Sequence, residues 1–399
     1  MMKITDYAKV VGPEIVAEIC RRAKKFENKR IVCVSSTHQG GGVAEILNSL
    51  VFLFNEIGIN FGWRVLHGSP NFFSITKSFH NGLQGDDITL DKNIRNTYLE
   101  TNERYSVFSH FTHDLVIIHD PQPLALINYY KKTQPWIWQC HIDITEPNKK
   151  LWNFLKPHIL KYDAVVLSDE TYKKDMPIEQ IIMHPAIDPL IEKNRALSEK
   201  EAEKILNEVG INTDKPIITQ ISRFDHWKDP QGVIKIYKLV KKEVDCQLVL
   251  LGNTATDDPE GVEVFSELQK TCKDTPGAVL LANMSNNDLV VNALQTKAAV
   301  IIQKSIREGF SLTVSEGMYK GTPVVASNIG GIPLQVIPGE TGFLHDPYDY
   351  NGFSESIIKL LKDENLRKKI GERAKKHVQE NFLITRLILN WLDIFEKYL

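Results

Sequence analysis

The sequence predicts an α/β protein of two Rossmann-like, doubly wound parallel-sheet domains that face a central cleft. Three observations predict it. Apolar runs of strand length alternate with helix-length segments along the chain, the alternation restarts after a polar stretch near residue 190, and polar residues gather where the apolar runs end. A length of 399 residues is enough for two such domains, each with its own core.

In the first half, Tyr7–Phe26 reads as one amphipathic helix leading to a buried strand, Arg30–Ser36. The segment T-H-Q-G-G-G follows, and then Val43, Ile46, Leu47, Leu50 and Phe54 fall on one helical face. Gly40, Gly41 and Gly42 let backbone approach a ligand with no Cβ in the way, although a tight strand-to-helix turn would use them equally. The next strand, Trp63–Leu66, ends in His67 and Gly68. It lacks the acid that a dinucleotide loop requires, and the glycine spacing is not G-x-G-x-x-G, which argues against a nicotinamide dehydrogenase.

The segment Phe72–Tyr105 is polar, irregular and helical in part. Two strands follow, Leu115–Ile118 ending in H-D-P-Q-P and Trp136–Cys140 ending in H-I-D-I-T-E-P. Their carboxyl ends set His119, Asp120, Gln122, His141 and Asp143 around one crevice. Such groups suit the hydroxyls of a sugar; a metal site would want a fixed ligand spacing of the H-E-x-x-H kind, which is absent, and histidines that stabilise core or loop are the remaining alternative. Trp136 and Trp138 alternate along their strand and read as packing. A helix at Leu151–Lys161 and strands at Ala164–Ser168 and Ile181–His184 complete a first domain, residues 1–193, and the polar run I-E-K-N-R-A-L-S-E-K-E-A-E-K opens a second, residues 194–379.

The second half has strands at Ile217–Ser222, Gln247–Leu251, Ala278–Leu281, Ala298–Gln303 and Val324–Ser327. After the first comes S-R-F-D-H-W-K-D-P, in which the Arg223 fork and the Lys228 point charge would neutralise a diphosphate and stabilise its departure. The loop holding Asn253 stands where a base could be held, and Asp257-Asp258 within it is not a D-x-D metal motif. Strand, loop, helix and strand succeed one another from Ile301 to Gly331, with Glu308 in the loop and Glu316 about two turns into the helix. The amides of Ser311, Leu312 and Thr313 are the leading donors of that helix and favour a phosphate. Carboxylates repel phosphate, so these acids call for hydroxyl partners, and a ligand with phosphates and many hydroxyls is a nucleotide sugar. Phe382–Leu399 forms an apolar amphipathic terminal helix.

Composition narrows the function classes further. Lys plus Arg total 48 against 50 acids, a net charge of -2 without blocks of like charge, so nucleic acid is not an expected partner. The five cysteines are too scattered for a disulfide framework or a zinc motif. No signal-peptide core or membrane-length apolar run occurs, and a soluble cytoplasmic protein with no membrane partner is expected.

The run E-G-F-S-L-T-V-S-E followed by G-T-P-V-V-A-S resembles the signature of retaining nucleotide-sugar glycosyltransferases of family four, in which two glutamates flank seven residues. Together with Gly40–Gly42, H-D-P-Q-P, Q-C-H-I-D and S-R-F-D-H-W-K-D-P, the likeness covers nearly the whole chain and is nearest to the trehalose glycosyltransferring synthases. It implies the GT-B fold and transfer of glucose from a nucleotide diphosphate glucose, such as UDP-glucose or ADP-glucose, to free glucose, forming α,α-trehalose with the donor configuration retained. By matching motif, Gly40–Gly42 would approach the donor diphosphate, Arg223 and Lys228 would bind it, Glu308 would hold hydroxyls of the transferred glucose, and Glu316 would bind the ribose. His141 would sit near the reacting sugar, with His119, Asp120, Gln122 and Asp143 on the acceptor side. Residues 380–399 would return to the first domain. Many relatives carry Gly where this chain has Ser311, so the approach of backbone to phosphate differs there.

The resemblance implies no obligatory cofactor and no protein-held metal; a divalent cation such as Mg would arrive with the nucleotide, and a homodimer is compatible with the sequence. The competing functions are another sugar transferase with a different acceptor, a GT-B nucleotide-sugar epimerase, which needs no acceptor, and a non-catalytic sugar-nucleotide sensor.

Overall fold

In the computed structural model, which describes residues 3–253 and 259–399, the named strands form two six-stranded sheets, parallel throughout. The first sheet comprises β1 (Arg30–Ser35), β2 (Asn60–Val65), β3 (Leu115–His119), β4 (Trp136–Cys140), β5 (Ala164–Leu167) and β6 (Glu179–Ile182) in the order β2-β1-β3-β4-β5-β6. The second comprises β7 (Ile217–Ile221), β8 (Gln247–Gly252), β9 (Ala278–Ala282), β10 (Val300–Gln303), β11 (Val324–Ser327) and β12 (Gly342–His345) in the order β12-β11-β10-β7-β8-β9. Inner strands such as β3, β4, β7 and β10 are buried at every position, as expected where helices cover both faces of a parallel sheet.

The strand order locates each ligand crevice before any side chain is considered. In the first sheet the chain steps from β1 out to β2 and then crosses to β3 on the other side of β1; in the second it runs β7, β8, β9 and then crosses to β10 on the other side of β7. The loops leaving β1 and β3 diverge at the first reversal, and those leaving β7 and β10 at the second. Open α/β sheets bind ligands at such reversals.

Contacts divide the chain into two units: residues up to Ala186 together with Ile384–Leu399, and Ile187–Leu383. The first unit ends upstream of the boundary expected at 193, and the returning segment begins at Ile384. Its helix, Ile384–Tyr398, sets Phe395 against Phe26 and Phe54 at centroid distances of 5.7 and 5.4 Å. Arg22 pairs with Asp393 at 2.6 Å, and the Arg386 guanidinium donates to the carbonyls of His184 and Pro185 at 2.8 and 2.9 Å. Trp136 and Trp138 are fully buried in the core of this unit.

Four sequence expectations need correction. The helix expected over Tyr7–Phe26 breaks at Gly12, whose φ of 87° and the following Pro13 end one segment and start another. The second strand is Asn60–Val65, beginning upstream of the expected Trp63. The irregular stretch Phe72–Tyr105 lies largely in two helices, Pro70–Leu83 and Lys92–Phe108. The polar run expected to open the second domain is not irregular throughout, because Ser198 and Glu201 within it form a capping box that starts the helix Glu199–Glu208.

Candidate active site

In the second unit, β7 delivers the loop Ser222–Asp229 and β10 the loop Lys304–Ser311. Asp225 shapes the first loop, accepting from the Lys228 amide at 3.1 Å, while the Gln220 side chain donates to the Lys228 carbonyl at 2.8 Å. The Lys228 side chain, thus anchored at its backbone on both sides, forms an ion pair with Glu308 of the second loop. Ser305 donates to the same carboxylate oxygen at 3.3 Å. The Arg223 guanidinium is half exposed and lies 3.3 Å from Asp225. The structure therefore brings together Lys228 and Glu308 and leaves Arg223 at the rim of the same loop.

Ser311 caps the helix Leu312–Tyr319 from the left-handed region, at φ 72°, and makes no side-chain capping bond. A side chain there carries a conformational penalty that glycine would escape. Leu312 and Thr313 are partly exposed at the first turn. Glu316 sits deeper: it is fully buried, paired with the Lys193 ammonium at 2.6 Å and accepting from the Gln295 amide at 2.9 Å. Burial pushes the neighbouring Lys320 down to about 7, with Glu316 pulling it back up. Asn253 is exposed just beyond β8; the rest of its loop, with Asp257 and Asp258, lies outside the described residues.

In the first unit, the carboxyl ends of β3 and β4 meet. His119 Nδ1 and His141 Nε2 are 3.1 Å apart with their rings stacked at an interplanar angle of 18°, so one proton is shared along that line. Burial lowers the basicity of both; His141 lowers it further at His119, and Asp120 offsets the fall at His141. Asp120 adopts φ 62°, and its Oδ1 accepts from the His141 amide at 2.8 Å, locking the two strand ends together. Burial raises its carboxyl, against the pull of His141.

The Asp143 carboxylate closes a turn, accepting from the amide and the hydroxyl of Thr145 at 2.9 and 2.6 Å. Gln122 differs from these neighbours, because its buried Oε1 has no hydrogen-bond partner among the described residues, and the His119 Nε2 is in the same condition. Buried polar atoms without partners are costly, and a ligand hydroxyl would satisfy them. Gly40 and Gly41 are exposed at φ 75° and 82°, ahead of the helix Gly42–Glu56, with no atom within 4 Å of where a Cβ would stand.

Sequence reasoning missed Lys193 and Gln295, which hold Glu316, and Lys304 with Asp229, which tie the two loops of the second unit. A signal existed only for the last pair: a lysine directly after the apolar run of β10, and an Asp-Pro start to the helix Pro230–Val240. Among the described residues, no group of three or more His, Cys, Asp or Glu stands where it could hold a metal, and no helix is long and apolar enough to cross a membrane.

Two parallel-sheet domains with paired switch-point sites define the GT-B architecture, and the solved alpha,alpha-trehalose-phosphate synthase (UDP-forming) from Burkholderia xenovorans, in complex with glucose-6-phosphate, superposes with a TM-score of 0.75 over 92% of this chain and 100% of that one. At 12% identity that likeness shows the fold alone. Residues 201–377 match the family described as glycosyl transferases group 1, so the class is a glycosyltransferase. Residues 33–174 match the family described as trehalose synthase, N-terminal domain. The trehalose synthase of Pyrococcus horikoshii is 44% identical over 99% of this chain and 96% of its own length, and that of Thermococcus litoralis is 42% identical over 99% and 97%. The chain belongs to the trehalose synthase family of glycosyltransferases.

Proposed function

We propose that this enzyme is a retaining glycosyltransferase that moves glucose from a nucleotide diphosphate glucose, UDP-glucose or ADP-glucose, to free glucose and releases α,α-trehalose. The observation that carries the donor half is the Lys228–Glu308 ion pair at the reversal between β7 and β10. It sets a cation for the diphosphate beside a carboxylate for the hydroxyls of the sugar attached to it. Membership of the trehalose synthase family supports the acceptor half, as do the unsatisfied Gln122 Oε1 and His119 Nε2.

In this reading the bond from the donor anomeric carbon to the diphosphate oxygen breaks, and its electron pair leaves with the diphosphate. The anomeric hydroxyl oxygen of the acceptor bonds to the same face of that carbon, and its proton passes to a diphosphate oxygen. Arg223, Lys228 and the amides of Ser311, Leu312 and Thr313 stabilise the charge that grows on the leaving group, and charge stabilised only as it develops accelerates the step. Glu308 orients the transferred glucose, Glu316 serves the ribose, Gly40–Gly42 approach the diphosphate, and Asn253 borders the base. The acceptor is assigned to His119, Asp120, Gln122 and Asp143, with His141 at the reacting sugar. A divalent cation enters with the nucleotide, and the reaction takes place in the cytoplasm.

The test is to incubate purified protein with UDP-glucose or ADP-glucose, with and without glucose, and to follow nucleotide release and the proton NMR spectrum of the product. Glucose-dependent release with a single α-anomeric signal supports the proposal. A β-anomeric signal, or transfer to another acceptor while glucose is ignored, overturns the product; an altered sugar without transfer selects an epimerase; binding alone selects a sensor.

A further inference from the structure

Lys304, the first residue after β10, is completely buried. A buried ammonium persists only when it is paired and solvated by protein groups. Its Nζ is ion-paired to Asp229 Oδ2, and the rings of Tyr350 and Tyr348 lie 4.9 and 5.4 Å from it, within reach of cation–π attraction. Asp229 directly follows Lys228, and its other carboxylate oxygen accepts from the Gly232 amide at 2.9 Å, capping the helix Pro230–Val240. The residue holds φ 40°, a left-handed conformation that its own cap stabilises. A Cβ at Gly232 would stand 2.3 Å from Asp229 Oδ2 and 2.8 Å from Lys304 Nζ, so the pair occupies the space that a side chain there would need.

Two further ties join the same pair of loops: the Ile306 amide donates to the Trp227 carbonyl at 2.6 Å, and Lys228 pairs with Glu308. Lys304 opens its loop next to β10 and Asp229 closes the other at the start of the helix Pro230–Val240, while Lys228 directly precedes Asp229 and Glu308 follows Lys304 within the same loop. We infer that Lys304 is a positioning residue: its ion pair with Asp229 fixes the register of the loop after β7 against the loop after β10, and so fixes Lys228 relative to Glu308. The inference rests on the proposed donor role of Lys228 and Glu308.

The test compares Lys304→Met, Lys304→Arg and Asp229→Asn with Lys228→Ala, using UDP-glucose or ADP-glucose, whichever the wild type turns over, with glucose as acceptor. Lys304→Met and Asp229→Asn are each expected to lower kcat by about tenfold to a hundredfold while the KM for glucose stays within about twofold, a split that general loosening of the protein would not produce. Lys304→Arg keeps the charge and is expected to recover part of the loss. Because Lys304 is expected to act through Lys228, adding Lys304→Met to Lys228→Ala should cost little more than Lys228→Ala alone. Should Lys304→Met fail to fold, Asp229→Asn decides, since its side-chain oxygen can still accept from the Gly232 amide. Wild-type kcat in folded Asp229→Asn, or fully additive losses in the double variant, overturns the inference. Wild-type turnover in Lys228→Ala overturns the donor reading instead, so the two failures are distinguishable.

Discussion

The ammonium of Lys228 rests on the carboxylate of Glu308 although 80 positions separate them in sequence. Each neutralises the other, and in the proposed reading a nucleotide sugar would offer both other partners, phosphate oxygens to the lysine and sugar hydroxyls to the glutamate. Lys228→Ala and Arg223→Ala should therefore each lower turnover by on the order of 10²-fold or more, by removing charge stabilisation that grows as the diphosphate leaves. Steady-state kinetics on folded variants checks this, and wild-type turnover in both would take the pair out of the reaction.

The two acids should separate in stability as well as in binding. Glu316→Ala removes the fully buried carboxylate that the Lys193 ammonium and the Gln295 amide share and should cost roughly 3–5 kcal/mol by chemical denaturation, the range for breaking a buried pair. It should also weaken binding of free nucleotide diphosphate. Because the Glu308–Lys228 pair keeps some exposure on both sides, Glu308→Ala should cost less stability than Glu316→Ala; it should spare that binding while impairing transfer. Calorimetry with the diphosphate alone reverses the assignment if Glu308→Ala loses binding and Glu316→Ala keeps it.

Ser311→Gly should raise stability by up to about 1 kcal/mol, because a left-handed conformation penalises the serine Cβ. The backbone amides of the helix start stay in place, so turnover should hold. Urea denaturation showing a loss instead would mean that the serine side chain contributes to the fold.

Acid should weaken the first unit through its histidines. Burial brings His158 down to about 4, with Lys161 adding to the shift, and burial also lowers His119 and His141. The unfolded chain binds these protons first as pH falls, so the stability contribution is complete above about 6.5 and is lost progressively towards about 4. Melting followed by circular dichroism should show a falling Tm across that window and a shallower fall in His158→Gln. A flat profile in the wild type would contradict the sign.

Gln122→Ala should raise the KM for glucose by roughly tenfold, the worth of one hydrogen bond, while leaving the KM for the donor unchanged. It should cost little stability, since the Oε1 it removes has no partner among the described residues. Asp120→Ala should raise the glucose KM too, but with added structural damage, because Asp120 also holds the His141 amide. Equal effects on both substrates would move Gln122 away from the acceptor.

What was legible in the sequence depended on local contrast. β3 is a continuous apolar run and β4 an apolar run broken by Gln139; they stop at His-Asp and His-Ile-Asp, so both the strands and their polar ends could be read. The loop of Glu308 and the helix of Glu316 were legible for the same reason. The helix Lys92–Phe108 was not, because it buries only Tyr98 and Asn102 and has too thin an apolar stripe to show a period. β12 is a short, half-buried edge strand whose four residues carry little pattern. Lys304–Asp229 and Lys193–Glu316 join residues far apart in the chain, and no spacing rule reaches across such distances.

The helix Ile384–Tyr398 completes the apolar packing of the first unit, yet it follows every residue of the second. During synthesis the first unit must therefore wait, with Phe26 and Phe54 lacking their partner Phe395, while the whole of Ile187–Leu383 emerges and can already fold. A ribosome that stalls before that helix leaves the damage in the first unit, so residues made ahead of the second unit are the last to reach their native packing.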